Sequence, residues 1–182
     1  MIDKEKIMEL TREFLLAIGE NPDREGLLDT PRRVASMCDE LLNPERANAK
    51  YTIFDDNQYN GIVLVKDIDF CSICEHHLLP FIGKIHIAYI PHGKILGISK
   101  FARIIDKHAK KLQLQEKLTQ EIVDDLQESI SPKGIAIYIE AKHLCMNIRG
   151  IARRNASTVT TLFVGEFENL EMQKAFMNTI KC

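Results

Sequence analysis

The chain has 182 residues, of which 45% are hydrophobic and 27% are charged. This balance fits one globular domain, or one domain with a small helical extension, whose core needs no disulfides. The net charge of −2 does not indicate a polyanion binder, so nucleic acid is not an expected partner. No apolar run approaches the roughly 20 residues of a membrane span, and the charged N-terminus lacks the apolar core of a signal peptide. We therefore expect a cytoplasmic protein without a membrane partner.

The N-terminal part is predicted to be a helical arm. A second helix is expected to begin at Thr30, because Thr caps free N–H groups and the following Pro31 fits a first helical turn. The polar stretch 43–61 is expected to link this arm to the main domain, so we divide the chain into an arm and linker, 1–60, and a catalytic domain, 61–182. The first helix, over 4–18 and ending at Gly19, is predicted from apolar residues at helical spacing: Ile7, Leu10, Phe14, Leu15 and Ile18.

From residue 62 the hydrophobic pattern changes to a period of two, which indicates strands. Strand pairs on either side of a helix pair predict an α+β fold with an antiparallel sheet and helices on one face. A sheet of about four strands has open edges, which favours pairing between subunits. The predicted strands are 62–70, 84–90, 134–142 and 158–167, with a hairpin turn at 91–94; the predicted helices are 99–112, 115–130 and 170–180.

Cysteine and histidine cluster in two segments, which indicates a metal site. Cys74 and His77 have the spacing that lets one turn present two ligands to a metal. His143 and Cys145 would project together if both lie on a strand. Thiolate and imidazole ligands favour zinc. An odd total of five cysteines also argues against a disulfide framework in a reducing compartment.

Two kinds of zinc site remain open on spacing alone. Three protein ligands would leave a fourth position for a water molecule, the arrangement of catalytic zinc sites. Alternatively, Cys71, Cys74, His77 and Cys145 could form a closed structural site. His76 and His143 adjoin the candidate ligands, so they are candidate acid–base groups in the catalytic alternative.

A possible polyphosphate site lies at the start of the helix predicted over 99–112. Ser99, Lys100 and Arg103 share its first turns, and helix N-termini with cations bind phosphates. Arg149 follows the second metal segment and could add to this site. The alternative is that these side chains are solvated cations on an amphipathic helix.

Gln115 and Glu116 lie where one predicted helix is followed by the next. A carboxylate at this place could accept both N–H donors of a guanine edge, a contact that discriminates strongly between bases. The simpler alternative is a favourable charge near a helix N-terminus.

Taken together, six segments closely resemble the GTP cyclohydrolase I family and occur in the family's order. The CEHH motif and the QxQExLT motif are the most specific of them. The segments are 24–35 (REGLLDTPRRVA), 74–83 (CEHHLLPFIG), 88–91 (AYIP), 97–103 (GISKFAR), 112–119 (LQLQEKLT) and 143–150 (HLCMNIRG).

The resemblance implies the tunnelling fold, or T-fold, and hydrolysis of GTP to 7,8-dihydroneopterin triphosphate and formate by zinc-activated water, the first step of tetrahydrofolate and pterin biosynthesis. It also implies a homodecamer of two pentameric rings, whose sheets join into barrels and whose active sites lie between subunits. The implied zinc ligands are Cys74, His77 and Cys145; the proton-transfer groups are His76 and His143; Glu116 with Gln115 anchors guanine; and Ser99, Lys100, Arg103, Arg149 and Arg33, the last from a neighbouring subunit, contact the ribose and phosphates.

Two rival hypotheses remain. The first is a related T-fold enzyme, such as a pterin synthase or a nitrile-reducing queuosine enzyme, although those resemblances lack the pair of motifs. The second is a non-catalytic assembly protein with a structural zinc site, for which Cys71 is the best support.

Overall fold

The structure is a computed structural model that describes residues 2–47, 52–55 and 58–181. Cys182, the fifth cysteine of the sequence, lies outside the described residues. Within the described ranges no helix is long and apolar enough to cross a bilayer.

Five strands form the central sheet, in the order β5-β2-β3-β6-β7. All neighbouring pairs are antiparallel except β2 and β5, which are parallel. The expected antiparallel sheet is therefore present, with one short parallel edge. The strands are β1 (Ile53–Asp55), β2 (Val63–Cys74), β3 (Pro80–Ile90), β4 (Lys94–Leu96), β5 (Leu112–Gln113), β6 (Gly134–His143) and β7 (Thr158–Gly165).

Helices lie on both faces of this sheet. α3 and α4 cover one face through apolar side chains such as Phe101 and Leu118, which are fully buried against β3 and β6. α6 packs on the opposite face through Phe176, beside Phe167 and Ala136. The helices are α1 (Lys4–Ala17), α2 (Thr30–Leu41), α3 (Ser99–Ala109), α4 (Gln115–Ile130), α5 (Leu144–Asn147) and α6 (Leu170–Ile180).

Strand alternation divides the side chains between the two faces. On β3, Ile85 and Ile87 point toward α3 and α4, whereas Lys84 and His86 point to the other face. A register shift between Val65 and Ile68 of β2 lies opposite this part of β3. The alternation of side chains along β3 therefore places Lys84 and His86 away from α3 and α4.

The predicted hairpin at 91–94 is wrong in its pairing. β4 follows that turn, but it pairs with β1 and not with β3. The partner strand lies about forty residues upstream in the chain, so the local turn residues do not identify it.

The helix cap predicted at Thr30 also differs from the structure, and the start of α3 shows the same arrangement. α2 begins at Thr30 itself, after Asp29, and α3 begins at Ser99, after Ile98. Neither Asp29 nor Ile98 accepts a hydrogen bond from a backbone N–H of the first helical turn through its side chain. Ser99 therefore lies in the first turn of α3, with its side chain exposed.

The predicted apolar face of α1 is largely exposed. Leu15 is buried, whereas Leu10, Phe14 and Ile18 are more than half exposed at 56%, 62% and 56%. α1 packs along α2, whose Cys38 is half-buried. The helical period correctly predicts the helix, but the part of the chain that the structure describes does not cover this face.

Candidate active site

The ends of two strands and the start of a helix meet at one place in the fold. β2 ends at Cys74, which pairs with Gln113 of β5, and α4 begins two residues later at Gln115. β6 ends at His143, and the single turn of α5 that follows carries Cys145. Elements far apart in sequence therefore bring Cys74 of the CEHH segment together with His143 and Cys145 of the HLC segment, and Gln115 of the QxQExLT segment contacts His143.

Cys74, His143 and Cys145 form a group that could hold a metal ion, because their ligand atoms all lie within 4.8 Å of one another. Cys74 is buried and the other two are half-buried. Burial raises the pKa of the Cys145 thiol, and the neighbouring Cys74 raises it further, while the charge of Arg149 lowers it. The arrangement is thus a compact, partly desolvated set of sulfur and nitrogen donors.

His143 and Cys145 do not share a strand in the structure. We expected both residues to lie on one strand and to project from the same face. Instead β6 ends at His143, and Cys145 lies in α5. A helical turn, not strand alternation, brings the thiol beside the imidazole.

His143 is held on two sides. Its ring stacks on Phe81, with centroids 4.7 Å apart and an interplanar angle of 3°. Its Nε2 lies 2.8 Å from Oε1 of Gln115. Burial lowers the pKa of His143, and the nearby Glu116 carboxylate acts in the opposite direction. The neutral imidazole is therefore favoured in this setting.

Gln115 determines which nitrogen of His143 carries the hydrogen. The Gln115 side chain is buried, and its amide nitrogen donates to the carbonyl oxygens of Ile139 and Thr158, each at 3.1 Å. Because carbonyl oxygens only accept, this orients the Gln115 amide oxygen toward His143. An amide oxygen also only accepts, so Nε2 of His143 is the donor and Nδ1 keeps its lone pair.

His76 and His77 lie on the exposed turn that follows Cys74. This turn is closed by two hydrogen bonds, from Leu78 N to Cys74 O and from Cys74 N to Leu79 O, both 2.9 Å. Both histidine side chains are exposed, and their ring centroids are 6.5 Å apart. Among the described residues, the close group of donors contains His143 and does not contain His77.

Cys71 does not belong to this group of donors. On β2 it lies three residues before Cys74, so alternation directs the two side chains to opposite faces of the sheet. Phe70 and Ser72 share the face of Cys74: Phe70 packs in the core beside it, and Ser72 Oγ donates to the Ala109 carbonyl of α3 at 2.7 Å. The geometry therefore gives no support to a closed site that includes Cys71.

Glu116 is exposed beside the donor group, and its charge reaches His143. With Thr119 and Thr160 it lines a cavity of about 240 Å³ that also touches β7. β7 is an edge strand of the sheet. The space next to Glu116 is therefore open at the edge where the sheet of this chain ends.

The candidate phosphate contacts are distributed over three elements. Ser99, Lys100 and Arg103 lie on the first turns of α3, where Ser99 and Arg103 are exposed. Arg149 lies in the loop after α5, near enough for its charge to lower the pKa of Cys145. Arg33 on α2 is exposed and lies 3.7 Å from Asp29. Arg149 is thus a candidate whose charge acts on a member of the donor group.

The chain matches the family model described as GTP cyclohydrolase I over residues 7–181. This chain belongs to the GTP cyclohydrolase I family. The family and the enzyme class predicted from the sequence are therefore confirmed.

Curated relatives are similar in sequence to this chain over almost their whole length. "GTP cyclohydrolase 1" of Thermoanaerobacter pseudethanolicus is 53% identical over 178 residues, covering 96% of this chain and 95% of the relative. "GTP cyclohydrolase 1" of Aquifex aeolicus is 48% identical over 182 residues, covering 99% of this chain and 98% of the relative. Both relatives are thus of about the same length as this chain.

A solved structure supports the fold. The archaeosine synthase QueF-Like in its apo form matches with a TM-score of 0.50 at 17% identity, covering 59% of this chain and 97% of that one. At this identity the likeness concerns the fold alone. Together with the antiparallel sheet and its helices, it confirms the predicted T-fold.

Phe81 is a site residue that the sequence analysis did not single out. It lies within the CEHHLLPFIG segment and pairs directly with His143 across β3 and β6. A directly opposite pair shares one face of the sheet, so its stacking on His143 follows from the register. Only the correct alignment of the two strands could have predicted this contact, because 62 positions separate the residues.

Proposed function

We propose that this protein converts GTP and water to 7,8-dihydroneopterin triphosphate and formate. The observation that carries the proposal is the convergence of Cys74, His143 and Cys145 with Glu116 where strands β2 and β6 end. Membership of the GTP cyclohydrolase I family supports the substrate and the reaction. In this proposal the domain over 61–182 carries the site, and the arm over 1–60 contributes to neighbouring subunits.

The donor set fits zinc, because two thiols and an imidazole are the ligands that zinc takes in catalytic sites. When bound, zinc would lower the pKa of a coordinated water to near neutrality and so supply the hydrolytic nucleophile. We propose Cys74, His77 and Cys145 as its ligands. This requires the exposed His77 side chain to turn toward Cys74, its neighbour at the start of the same turn.

His143 then serves in proton transfer. Its lone pair on Nδ1 can accept a proton, while the Gln115 contact holds Nε2–H and the Phe81 ring holds the imidazole plane. A neutral imidazole is the form required of a general base, and burial favours that form. His76, on the turn after Cys74, is the second proposed proton-transfer group.

Glu116 is proposed as the guanine anchor. Its carboxylate is exposed at the cavity beside β7, and it can accept both N–H donors of a guanine edge. Gln115, which the family resemblance pairs with it, has its amide engaged by His143, Ile139 and Thr158. We propose that Gln115 contributes by orienting His143, while Glu116 contacts the base.

The triphosphate is proposed to lie between α3 and the loop after α5. Ser99, Lys100 and Arg103 offer a helix N-terminus with two cations, and Arg149 adds a third charge from the donor side. Arg33 is proposed to reach this site from a neighbouring subunit.

Three features support an oligomer with sites between subunits. The cavity at Glu116, about 240 Å³, is smaller than the roughly 300 to 1,000 Å³ of pockets that bury small ligands. Among the described strands β7 pairs on one side only, and an open edge favours pairing with another chain. The exposed apolar face of α1 is suited to packing against another subunit.

We propose the decamer of two pentameric rings that the family resemblance implies, with sheets joined into barrels.

A steady-state assay tests this function. Zinc-loaded protein is mixed with GTP, and formate release is followed together with the absorbance of the dihydropterin product. We expect stoichiometric formate and pterin, and loss of both after zinc is removed with a chelator while the oligomer persists. A zinc-loaded protein that makes neither product would contradict the proposal and leave a structural role for the metal as the better account.

A further inference from the structure

The loop between α5 and β7 carries three arginines, yet it buries none of its own side chains. Residues 148–155 are all exposed, and they include Arg149, Arg153 and Arg154. Two of its residues have left-handed backbones, Gly150 with φ +58° and Ala152 with φ +47°. A left-handed alanine is unfavourable, so this conformation needs support from outside the loop.

Asn147, the last residue of α5, supplies that support through hydrogen bonds to the loop backbone. Its side chain is 5% exposed, and its amide nitrogen donates to the carbonyl oxygens of Arg153 at 2.6 Å and Ala156 at 3.2 Å. A third bond, from Arg153 N to Met146 O at 3.0 Å, joins the same two ends of the chain. The base of the loop is therefore closed by a buried side chain that adjoins the donor group at Cys145.

The other end of the Asn147 amide shows that the side chain works as a donor. Its Oδ1 is buried and has no hydrogen-bond partner in the described part of the chain. Leaving a buried acceptor unpaired is unfavourable, so the two bonds donated by the nitrogen are what this side chain contributes.

We propose that Asn147 is a positioning residue for GTP binding, whose amide group fixes the loop 148–157 so that Arg149 stays at the active site. This inference rests on the proposed function, in which Arg149 contacts the triphosphate. When the fixing bonds are lost, the exposed loop samples other conformations. The apparent affinity for GTP then falls by the fraction of time that Arg149 spends out of place. The proposed acid–base groups, His76 and His143, lie on other elements. The rate constant for conversion of bound GTP, kcat, therefore changes little.

The test compares Asn147→Asp with Asn155→Asp in the zinc-loaded protein. Asn147→Asp keeps the shape of the side chain but cannot donate, whereas Asn155→Asp places the same charge on an exposed residue of the same loop. We expect KM for GTP to rise about tenfold in Asn147→Asp, the effect of about one net hydrogen bond, with kcat within about twofold. Asn155→Asp should match the wild type. In Arg149→Ala, adding Asn147→Asp should raise KM little further.

A second measurement is independent of GTP. Trypsin cleaves after arginine, so the rate of cleavage at the three loop arginines reports directly on loop order. We expect about tenfold faster cleavage in Asn147→Asp and an intermediate rate in Asn147→Ser, which keeps one donor. Should Asn147→Asp not fold, Asn147→Ser against wild type carries the same comparison.

Wild-type cleavage rates and an unchanged KM in both Asn147 variants would overturn the inference. Faster cleavage with an unchanged KM would overturn the link to Arg149. If the wild-type protein neither binds nor converts GTP, the proposed function fails, and the trypsin comparison still decides whether Asn147 orders the loop.

Discussion

The two faces of the central sheet carry different chemistry, although the same strands build both. The face covered by α3 and α4 presents Cys74 and His143 beside the start of α4. The opposite face, partly covered by α6, presents Cys71 and also carries His86, which lines an open cavity of about 610 Å³. That cavity is larger than the one at Glu116, yet it lies away from the donor group.

The polar groups around this cavity on the second face form hydrogen bonds and ion pairs with one another. Lys84 Nζ lies 3.1 Å from Asp67, and the Asp67 backbone N–H donates to Nδ1 of His86 at 3.2 Å. Glu140 accepts from Ser157 at 2.8 Å. By contrast, the helix-covered face gathers two thiols and the His143 imidazole, whose ligand atoms all lie within 4.8 Å of one another. Cavity size therefore identifies the site less well than the chemistry of the donors does.

Residue parity along a strand explains the difference. Cys71 and Cys74 are three positions apart, so one β-strand sends them to opposite faces. In sequence they form one cluster, and in the fold they are separated by the thickness of the sheet.

The two cysteines of β2 should behave oppositely when each is changed to serine. Cys74→Ser should lose bound zinc and GTP turnover, because it removes a thiolate ligand. Cys71→Ser should keep both, because its side chain lies on the other face, where burial raises the pKa of its thiol. Zinc content per subunit and turnover are measured in parallel. Equal loss in both variants would contradict the division between the faces.

Glu116→Ala should reduce kcat/KM for GTP by up to about 10⁴-fold, because guanine donors left without their acceptor are strongly disfavoured. The matched control is Glu128→Ala, an exposed residue near the other end of α4. Both variants should assemble like the wild type in sedimentation. A Glu116→Ala variant with unchanged kcat/KM would remove this residue from the site.

Gln115→Met should lower kcat by about 10- to 100-fold with a smaller effect on KM, as expected for a residue that orients a catalytic group. The change keeps the length of the side chain but removes the acceptor for His143 and the donors to Ile139 and Thr158. Gln127→Met, exposed on the same helix, is the control. If the loss lies mainly in KM, Gln115 contacts the substrate and does not act through His143.

His86→Ala should leave GTP kinetics unchanged and lower only stability. His86 is 8% exposed, and truncating a buried side chain of this size costs about 1–3 kcal/mol. Thermal unfolding and the GTP assay are compared on the same preparation. A specific loss of kcat or a rise in KM would show that the second face takes part in the reaction.

The sequence predicts the elements and the family well, because both depend on local patterns. Helix α4 spans the predicted 115–130, and strand β6 exceeds the predicted 134–142 by one residue. The specific motifs identify the family before any contact is known. Local patterns do not predict the long-range contacts. Gln115 donates to Thr158, which is 43 positions away, and β4 pairs with β1 instead of β3.

Local pattern also does not show what covers an apolar face. The spacing of Leu10, Phe14 and Ile18 predicts a helix with a buried side, yet these residues are exposed in the single chain. Periodicity is the same whether the cover comes from the same chain or from another copy. The same limit applies to Cys145, where a helical turn replaces the predicted strand.

The most direct test of the account is to locate the metal in crystals of the zinc-loaded protein by anomalous scattering at the zinc edge. The account predicts one zinc per subunit on the helix-covered face, about 2.3 Å from the sulfur atoms of Cys74 and Cys145, with His77 turned in as the third ligand and one position open. A zinc ion bound through His143 instead of His77 would reassign the proton-transfer group. A zinc ion bonded to Cys71, or a closed site of four protein ligands, would contradict the account.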